Sequence, residues 1–391
     1  MELDIRGGVR AAPLPGTTPG ERAALRFAPD LRDRDADPEH IARTARENEQ
    51  DGLDSALVVQ SSSWPDPWLV AGWALAATQR LRIAVAHRVG TTSPTVAARS
   101  LATLDRLSGG RAAAHVIVGS SDADVARDGD PLDKEARYRR AGEYLEIFRR
   151  ALTERQDFDH EGEFYTLRGA RSGLFPNPRA ELLSFGGSSP AGVELAARHA
   201  EVYAVPTLPL TATRRHIARV SASAAVHGRC LRIWRQVIVV TAPTDEEAEA
   251  RARHIRYEAV RLASGPRAEQ WLDAVQLDRD RERGRAAARD DSRGLSAYVD
   301  RSLAGAYVGS PATVAARIGL LRSVPRTFRP PPAVPPMRGA VGDTESDRPG
   351  RAAVGRAPWT RTPVLAPAGG RGAALRTYCR AVLVATISMA T

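Results

Sequence analysis

The chain has 391 residues, 43% of them hydrophobic and 26% charged, enough for one large domain or two ordinary ones. The opening MELDIRGGVRAAPLPG lacks a signal-type apolar core, no run reaches the roughly 20 apolar residues of a membrane span, and Cys230 and Cys379 show neither metal spacing nor a disulfide framework. A reduced, cytoplasmic protein with no membrane contact is expected. The formal charge of +10 sits largely in the tail, where ten Arg face three acids from Val324 onward. The nearly balanced body therefore does not read as a nucleic-acid-binding surface.

In chain order, apolar strand-type runs alternate with helical patterns. Ser55–Val59 precedes a helix over Trp68–Thr78, Arg82–His87 one over Thr95–Leu107, and Ala112–Val118 one over Lys134–Leu152. Leu182–Phe185 leads to Pro190–Arg198, Val202–Val205 to Thr211–Val226, and Leu231–Val240 to Asp245–Leu262. Continuously apolar strands separated by helices indicate a parallel sheet covered on both faces. So many units suit a TIM (β/α)8 barrel, and no GxGxxG opens a helix to favour a dinucleotide fold. The first strand is poorly marked, with Leu3–Ile5 and Leu25–Phe27 both available.

Two regions break the pattern. Ser264–Gly294 is dense in charge and reads as a partly helical insertion near the C-terminal end of the barrel. After a helix over Pro311–Arg322, ten prolines fall between Pro325 and Pro367, a density that strands do not survive. The expected organisation is a poorly ordered lead over 1–24, a barrel domain over 25–323 and a disordered Pro/Arg-rich tail over 324–391. That tail stands where the last strand and helix belong, and its Arg, Pro, Gly and Ala bias suits an out-of-frame stretch of a GC-rich gene.

Function in a parallel barrel collects at the C-terminal ends of the strands. Those ends carry Ser61–Ser63 with Asp66, then His87 and Arg88, then His115 with Gly119 behind it, and Trp234, Arg235 and Gln236 on the sixth strand. The sharpest local signal is Gly186-Gly187-Ser188-Ser189, which ends a strand and opens a helix. Free N–H groups, a helix dipole and two hydroxyls converge there, which suits a phosphate as well as an ordinary helix cap. Lys134 and Tyr138 lie four residues apart, on one helix face, as a cation and a phenol for the other side of such a phosphate.

The segments TQRLRIAVAHRVG, SPTVAARSLATLDRLSGGRA, GDPLDKEARY, FDHEGEFYTLRGA, FGGSSPAGVELAARHAEVY and VGSPATVAARI resemble, in order and spacing, the bacterial-luciferase-like flavin monooxygenases. Within these they look most like the alkanesulfonate monooxygenase branch. The resemblance implies a TIM barrel that binds reduced FMN (FMNH2) delivered by a separate NAD(P)H-dependent flavin reductase. Molecular oxygen then gives a flavin C4a-peroxy species that oxygenates an alkanesulfonate or related small organosulfur substrate, in an enzyme expected to form homo-oligomers. Carried over by position, His115 and Gly119 fall beside the flavin, Tyr138, Gly187, Ser188 and Ser189 at the phosphate, and Lys134 where the family has a histidine. His87, Arg235, Gln236 and Arg301 are the catalytic candidates, the two arginines as partners for an anionic substrate.

Departures from the family touch the substrate side. The histidine expected two residues from the strand arginine is absent at Trp234-Arg235-Gln236, and the first active-site loop reads SSSWPDPW with no cysteine. A deazaflavin- or FMN-dependent oxidoreductase of the same superfold is the alternative enzyme. A truncated, non-catalytic relative with a basic binding tail is the alternative of another class.

Overall fold

A computed structural model describes residues 3–13, 35–62, 64–119, 122–171, 173–177, 182–205, 208, 210–263, 303, 305–320 and 382–389. The order of elements begins β1 (Leu3–Val9), α1 (Pro38–Gln50), β2 (Ser55–Val58), α2 (Pro67–Ala76), β3 (Arg82–Arg88), α3 (Pro94–Leu107) and β4 (Ala112–Ile117). It continues with α4 (Asp122–Arg127), α5 (Lys134–Thr153), the hairpin β5 (Phe158–Glu161) and β6 (Thr166–Ala170), β7 (Leu183–Phe185) and α6 (Pro190–His199). The last described elements are β8 (Val202–Val205), α7 (Leu210–Val226), β9 (Arg232–Thr241), α8 (Asp245–Ala263), β10 (Tyr307–Gly309), α9 (Pro311–Leu320) and β11 (Val382–Met389).

Strands β1, β2, β3, β4, β7, β8 and β9 pair in that order, every pair parallel. The ring closes through β11, which lies antiparallel to both β9 and β1. The expected α/β barrel is therefore present, and the expected absence of a last strand is corrected. The proline argument stops at Pro367, and the later VLVATISM is apolar and rich in β-branched residues. Of the two first-strand candidates, Leu3–Ile5 lies within a described strand. Leu3–Val9 fills that place, inside the stretch read as a lead, with Arg6 in register with Ser55. The Leu25–Phe27 alternative, the insertion at 264–294, Arg301 and the tail from 324 to 381 lie outside the described residues.

Strand β3 shows why the pattern folds this way. Only its first residue is part-exposed, because the barrel interior takes one side and helices take the other. The helices approach closely on small residues: Ala97, Ala98 and Ala102 of α3 and Ala141 of α5 are fully or almost fully buried. Starts are fixed locally. Asp37, Asp66 and Asp133 cap α1, α2 and α5 with side-chain oxygens.

His87, one of the catalytic candidates, belongs to this packing layer. Its ring sits between Trp68 of α2 and Tyr144 of α5, with 1% of the residue exposed. The indole Nε1–H can only donate and reaches Nδ1 at 3.3 Å. Nε2–H is then the donor to the Tyr144 hydroxyl at 2.6 Å. Burial holds the His87 pKa down at about 4. Its neutral form is thus built into the folded state.

The sign of the pH dependence follows. Between about pH 6.5 and pH 4 the unfolded chain takes up a proton at His87 that the folded chain refuses, so stability falls as pH falls. The full effect is on the order of 3 kcal/mol. Urea unfolding of His87→Phe is expected to lose less stability than wild type across that window, although His115 leaves some acid sensitivity.

Candidate functional site

Three elements meet at the C-terminal end of β7. The turn Gly186–Ser189 leaves the strand and enters α6, whose N-cap is Ser189, with its hydroxyl accepting from the Gly192 N–H at 3.1 Å. A side chain at residue 187 would stand 2.9 Å from the Phe185 ring and 3.3 Å from the Tyr138 hydroxyl. Tyr138, one turn into α5, therefore lies directly against the turn, with Lys134 on the same helix face at its first position. Gly192 is equally constrained, because a Cβ there would come within 3.0 Å of the Gly187 carbonyl oxygen.

The carbonyls of this turn are already committed. Gly187 C=O accepts from the Tyr203 hydroxyl at 2.6 Å, and Ser188 C=O accepts from Arg219 at 2.9 Å. Across a planar trans peptide the C=O and the following N–H point in opposite directions. The N–H groups of Ser188 and Ser189 are thus aimed away from Tyr203 and Arg219. Pro190 adds no N–H at the first helical position. Two oriented donors at a helix N-terminus with a phenol against the turn make a cradle that could hold a phosphate-like anion.

His115 lies next to this cradle. Its Nε2 is 3.3 Å from where a Gly186 side chain would begin, and its Nδ1 is 2.9 Å from the Ser184 hydroxyl. That hydroxyl donates to the Ala114 carbonyl at 3.3 Å, so it accepts from Nδ1–H and leaves Nε2 as an acceptor facing the turn. Burial, aided by the Arg6 charge, holds the His115 pKa down at about 3. The ring also stacks on Trp234 at 6.4 Å between centroids.

The loop after β4 is clamped. Arg88, 2% exposed, donates to Asp124 at 2.8 Å and also pairs with Asp128. Asp124 also accepts from the Ser61 and Ser62 hydroxyls at 3.0 and 2.6 Å, joining the β2 loop to α4. Burial raises the Asp124 pKa, but the bonds from Ser62, Ser61 and Arg88 outweigh it and hold the carboxyl below its ordinary value. Arg137 bonds the Val118 and Leu132 carbonyls and Asp122, and Arg140 bonds Val89 C=O and Asp130. Gly119, at φ +81°, closes this corner, since a Cβ would collide with Val125.

Residues 17–327 match the sequence profile of the luciferase-like monooxygenase family. The chain belongs to that family. Among solved structures, a riboflavin lyase with modified FMN and riboflavin is 20% identical, with a TM-score of 0.66 over 83% of this chain and 85% of that one. A type II Baeyer–Villiger monooxygenase from Pseudomonas putida in complex with FMN is 20% identical, with a TM-score of 0.56 over 82% and 89%. A coenzyme F420 dependent tetrahydromethanopterin reductase from Methanopyrus kandleri is 18% identical, with a TM-score of 0.55 over 75% and 88%. At these identities the likeness is one of fold.

Within this luciferase-like barrel, the candidates are not all neighbours. His115, Tyr138, Gly187, Ser188 and Ser189 converge, with Lys134 on the Tyr138 face, and Gly119 closes the adjoining corner. Arg235 is buried on β9, opposite Val205 at the end of β8, and donates to the Tyr307 hydroxyl at 2.5 Å and the Leu208 carbonyl at 2.8 Å. Gln236 is exposed on the same strand, and His87 stays in the helix layer. A cavity of about 170 Å3 lies at the opposite, N-terminal strand ends, lined by Arg6, Ser55, Arg82, Ser184 and Trp234, and so apart from the cradle. Sequence reasoning missed Arg6, stacked 3.2 Å over Trp234, and the turn-holding Tyr203, His216 and Arg219. No local motif marks contacts between a strand and the helix that follows it.

Gly192→Ala pushes a methyl against the Gly187 backbone. It is expected to destabilise the fold by about 1–3 kcal/mol, measured as a lower urea midpoint at unchanged m-value.

Proposed function

We propose that this protein is an FMNH2-dependent, two-component monooxygenase acting on an alkanesulfonate or related small organosulfur compound. The observation that carries the cofactor reading is the closure of the Tyr138 hydroxyl onto the Gly187 turn, a gap that only glycine leaves open. The N–H groups of Ser188 and Ser189, the Tyr138 hydroxyl and the Lys134 ammonium would hold the FMN phosphate. His115, with an acceptor nitrogen beside Gly186, would face the ring system. Bound reduced FMN supplies the activation of dioxygen, and the protein supplies anchoring, orientation and exclusion of water. A separate NAD(P)H-dependent flavin reductase would deliver it.

The substrate reading rests on Arg235. Its guanidinium is 2% exposed, and no carboxylate partners it among the described residues. Its buried Nε also has no hydrogen-bond acceptor among them. A buried, unneutralised guanidinium is costly unless an anion completes it, and a sulfonate offers oxygens that can accept from its N–H groups. Arg301 is proposed as a second cation from the later loop. Gln236 is proposed as a polar contact.

Protein fluorescence during anaerobic titration with reduced FMN is expected to show saturable binding. Tyr138→Phe should weaken it by about tenfold, the value of one hydrogen bond to a charged group. Reduced deazaflavin in the same titration distinguishes the alternative cofactor. With reductase, NAD(P)H and a panel of alkanesulfonates, sulfite release is expected from wild type. Arg235→Met should abolish that release while leaving FMN affinity unchanged.

A further inference from the structure

Behind the phosphate turn runs a hydrogen-bond chain whose direction is fixed at every link. Arg219 can only donate, and its guanidinium lies 3.0 Å from His216 Nδ1, so Nδ1 is the acceptor. The neutral ring then carries its proton on Nε2, which is 2.8 Å from the Tyr203 oxygen. Tyr203 accepts there and spends its own proton on the Gly187 carbonyl at 2.6 Å. The opposite assignment would set an Nδ1–H against an Arg219 N–H and leave Gly187 C=O without its donor. The same guanidinium nitrogen of Arg219 also holds Ser188 C=O at 2.9 Å. Both carbonyls of the turn are thus tied to one histidine, directly through Tyr203 or through its neighbour Arg219.

We infer that His216 is a positioning residue for phosphate recognition: as the Nε2–H tautomer it holds the Gly187 and Ser188 carbonyls back, so that the Ser188 and Ser189 N–H groups face the anion. The inference rests on the FMN reading of the same turn. A carbonyl swung toward the phosphate would replace a donor with a negative dipole, so the turn recognises an anion only while its peptides keep this orientation. The residue touches neither cofactor nor substrate. Its effect is confined to the phosphate end, because His115 is held by a separate contact with Ser184.

The arrangement also gives a pH readout. Groups facing His216 are Arg219 from its own helix α7 and Tyr203 from β8, with Tyr138 of α5 next beyond Tyr203, and the Gly186–Ser189 turn itself carries no titratable side chain. Burial and the Arg219 charge keep the His216 pKa below its ordinary value. Acid would therefore place a proton on Nδ1, opposite the Arg219 cation, and so release the Ser188 carbonyl that Arg219 holds, while Nε2–H still donates to Tyr203.

The test compares oxidised FMN with riboflavin, which lacks the phosphate, on the full chain by flavin fluorescence. Wild type should prefer FMN. His216→Phe and Tyr203→Phe should each weaken FMN by about tenfold while leaving riboflavin affinity unchanged. His216→Gln, with an amide oxygen to accept from Arg219 and an NH2 to donate to Tyr203, should keep the preference. The FMN-to-riboflavin ratio should fall on acidification more in wild type than in His216→Gln, a comparison that cancels the titration of the FMN phosphate itself. Equal loss of both ligands, or an unchanged ratio in His216→Phe, would overturn the inference. A wild-type chain that binds riboflavin and FMN alike would refute the phosphate site instead. In that case the histidine 15N spectrum still decides the relay: an Nε2–H tautomer at His216 supports it, and an Nδ1–H tautomer overturns it.

Discussion

The functional end of this barrel depends on one close approach, the stacking of Gly192 on Gly187. With no side chain at either position, helix α6 starts within van der Waals distance of the turn that feeds it. Phe185 and the Tyr138 hydroxyl can then press on the turn from the other side. A methyl at Gly192 would press on backbone, because its nearest atoms are peptide atoms of Gly187, while one at Gly187 would first meet the Phe185 ring and the Tyr138 hydroxyl. From that contact follow the entry angle of α6, the reach of Tyr138 and the aim of the turn's N–H groups.

Around that point the molecule uses arginine where smaller folds would use hydrophobic contacts. Arg88, Arg137 and Arg140 are buried or nearly so, and each bonds a carboxylate of the segment after β4, with Arg137 also bonding carbonyls there and Arg140 the Val89 carbonyl after β3. Such clamps bring little net stability, since desolvation offsets most of the attraction. They instead fix one geometry for the loop that borders the site. The buried histidines follow the same rule from the neutral side. His87, His115 and His216 are each depressed in pKa by burial, and the partners of each define which nitrogen keeps the proton.

Much of this was legible before any coordinates. The parallel barrel follows from the alternation of apolar runs with helical periods, and strands such as Val202–Val205 are found where the pattern puts them. The turn at Gly186–Ser189 was visible as a strand-to-helix junction, and Ser189 does cap the helix that follows. Strand β1 was hidden because Arg6, Gly7 and Gly8 break its apolar run, and its place comes from pairing with β2. The helix α1 was hidden because its buried stripe is thin, although the Asp37-Pro38 start was readable as a cap. The different surroundings of His87 and Arg88 follow from strand alternation, since consecutive residues on β3 cannot face the same side. The closing strand β11 was missed because the prolines before it were allowed to speak for the whole tail.

The Tyr203–His216–Arg219 chain had no sequence signal, since its direction depends on distances between a strand, a helix and a turn. It occupies the Gly187 and Ser188 carbonyls from one side of the turn, which leaves the N–H groups of Ser188 and Ser189 on the other. The measurement that tests this account most directly is a crystal structure of the full chain with FMN. The account predicts the phosphate on the Ser188 and Ser189 N–H groups with the Tyr138 hydroxyl closing over it, and the ring system beside His115. A phosphate bound elsewhere, or a turn with its carbonyls rotated toward the ligand, would contradict it.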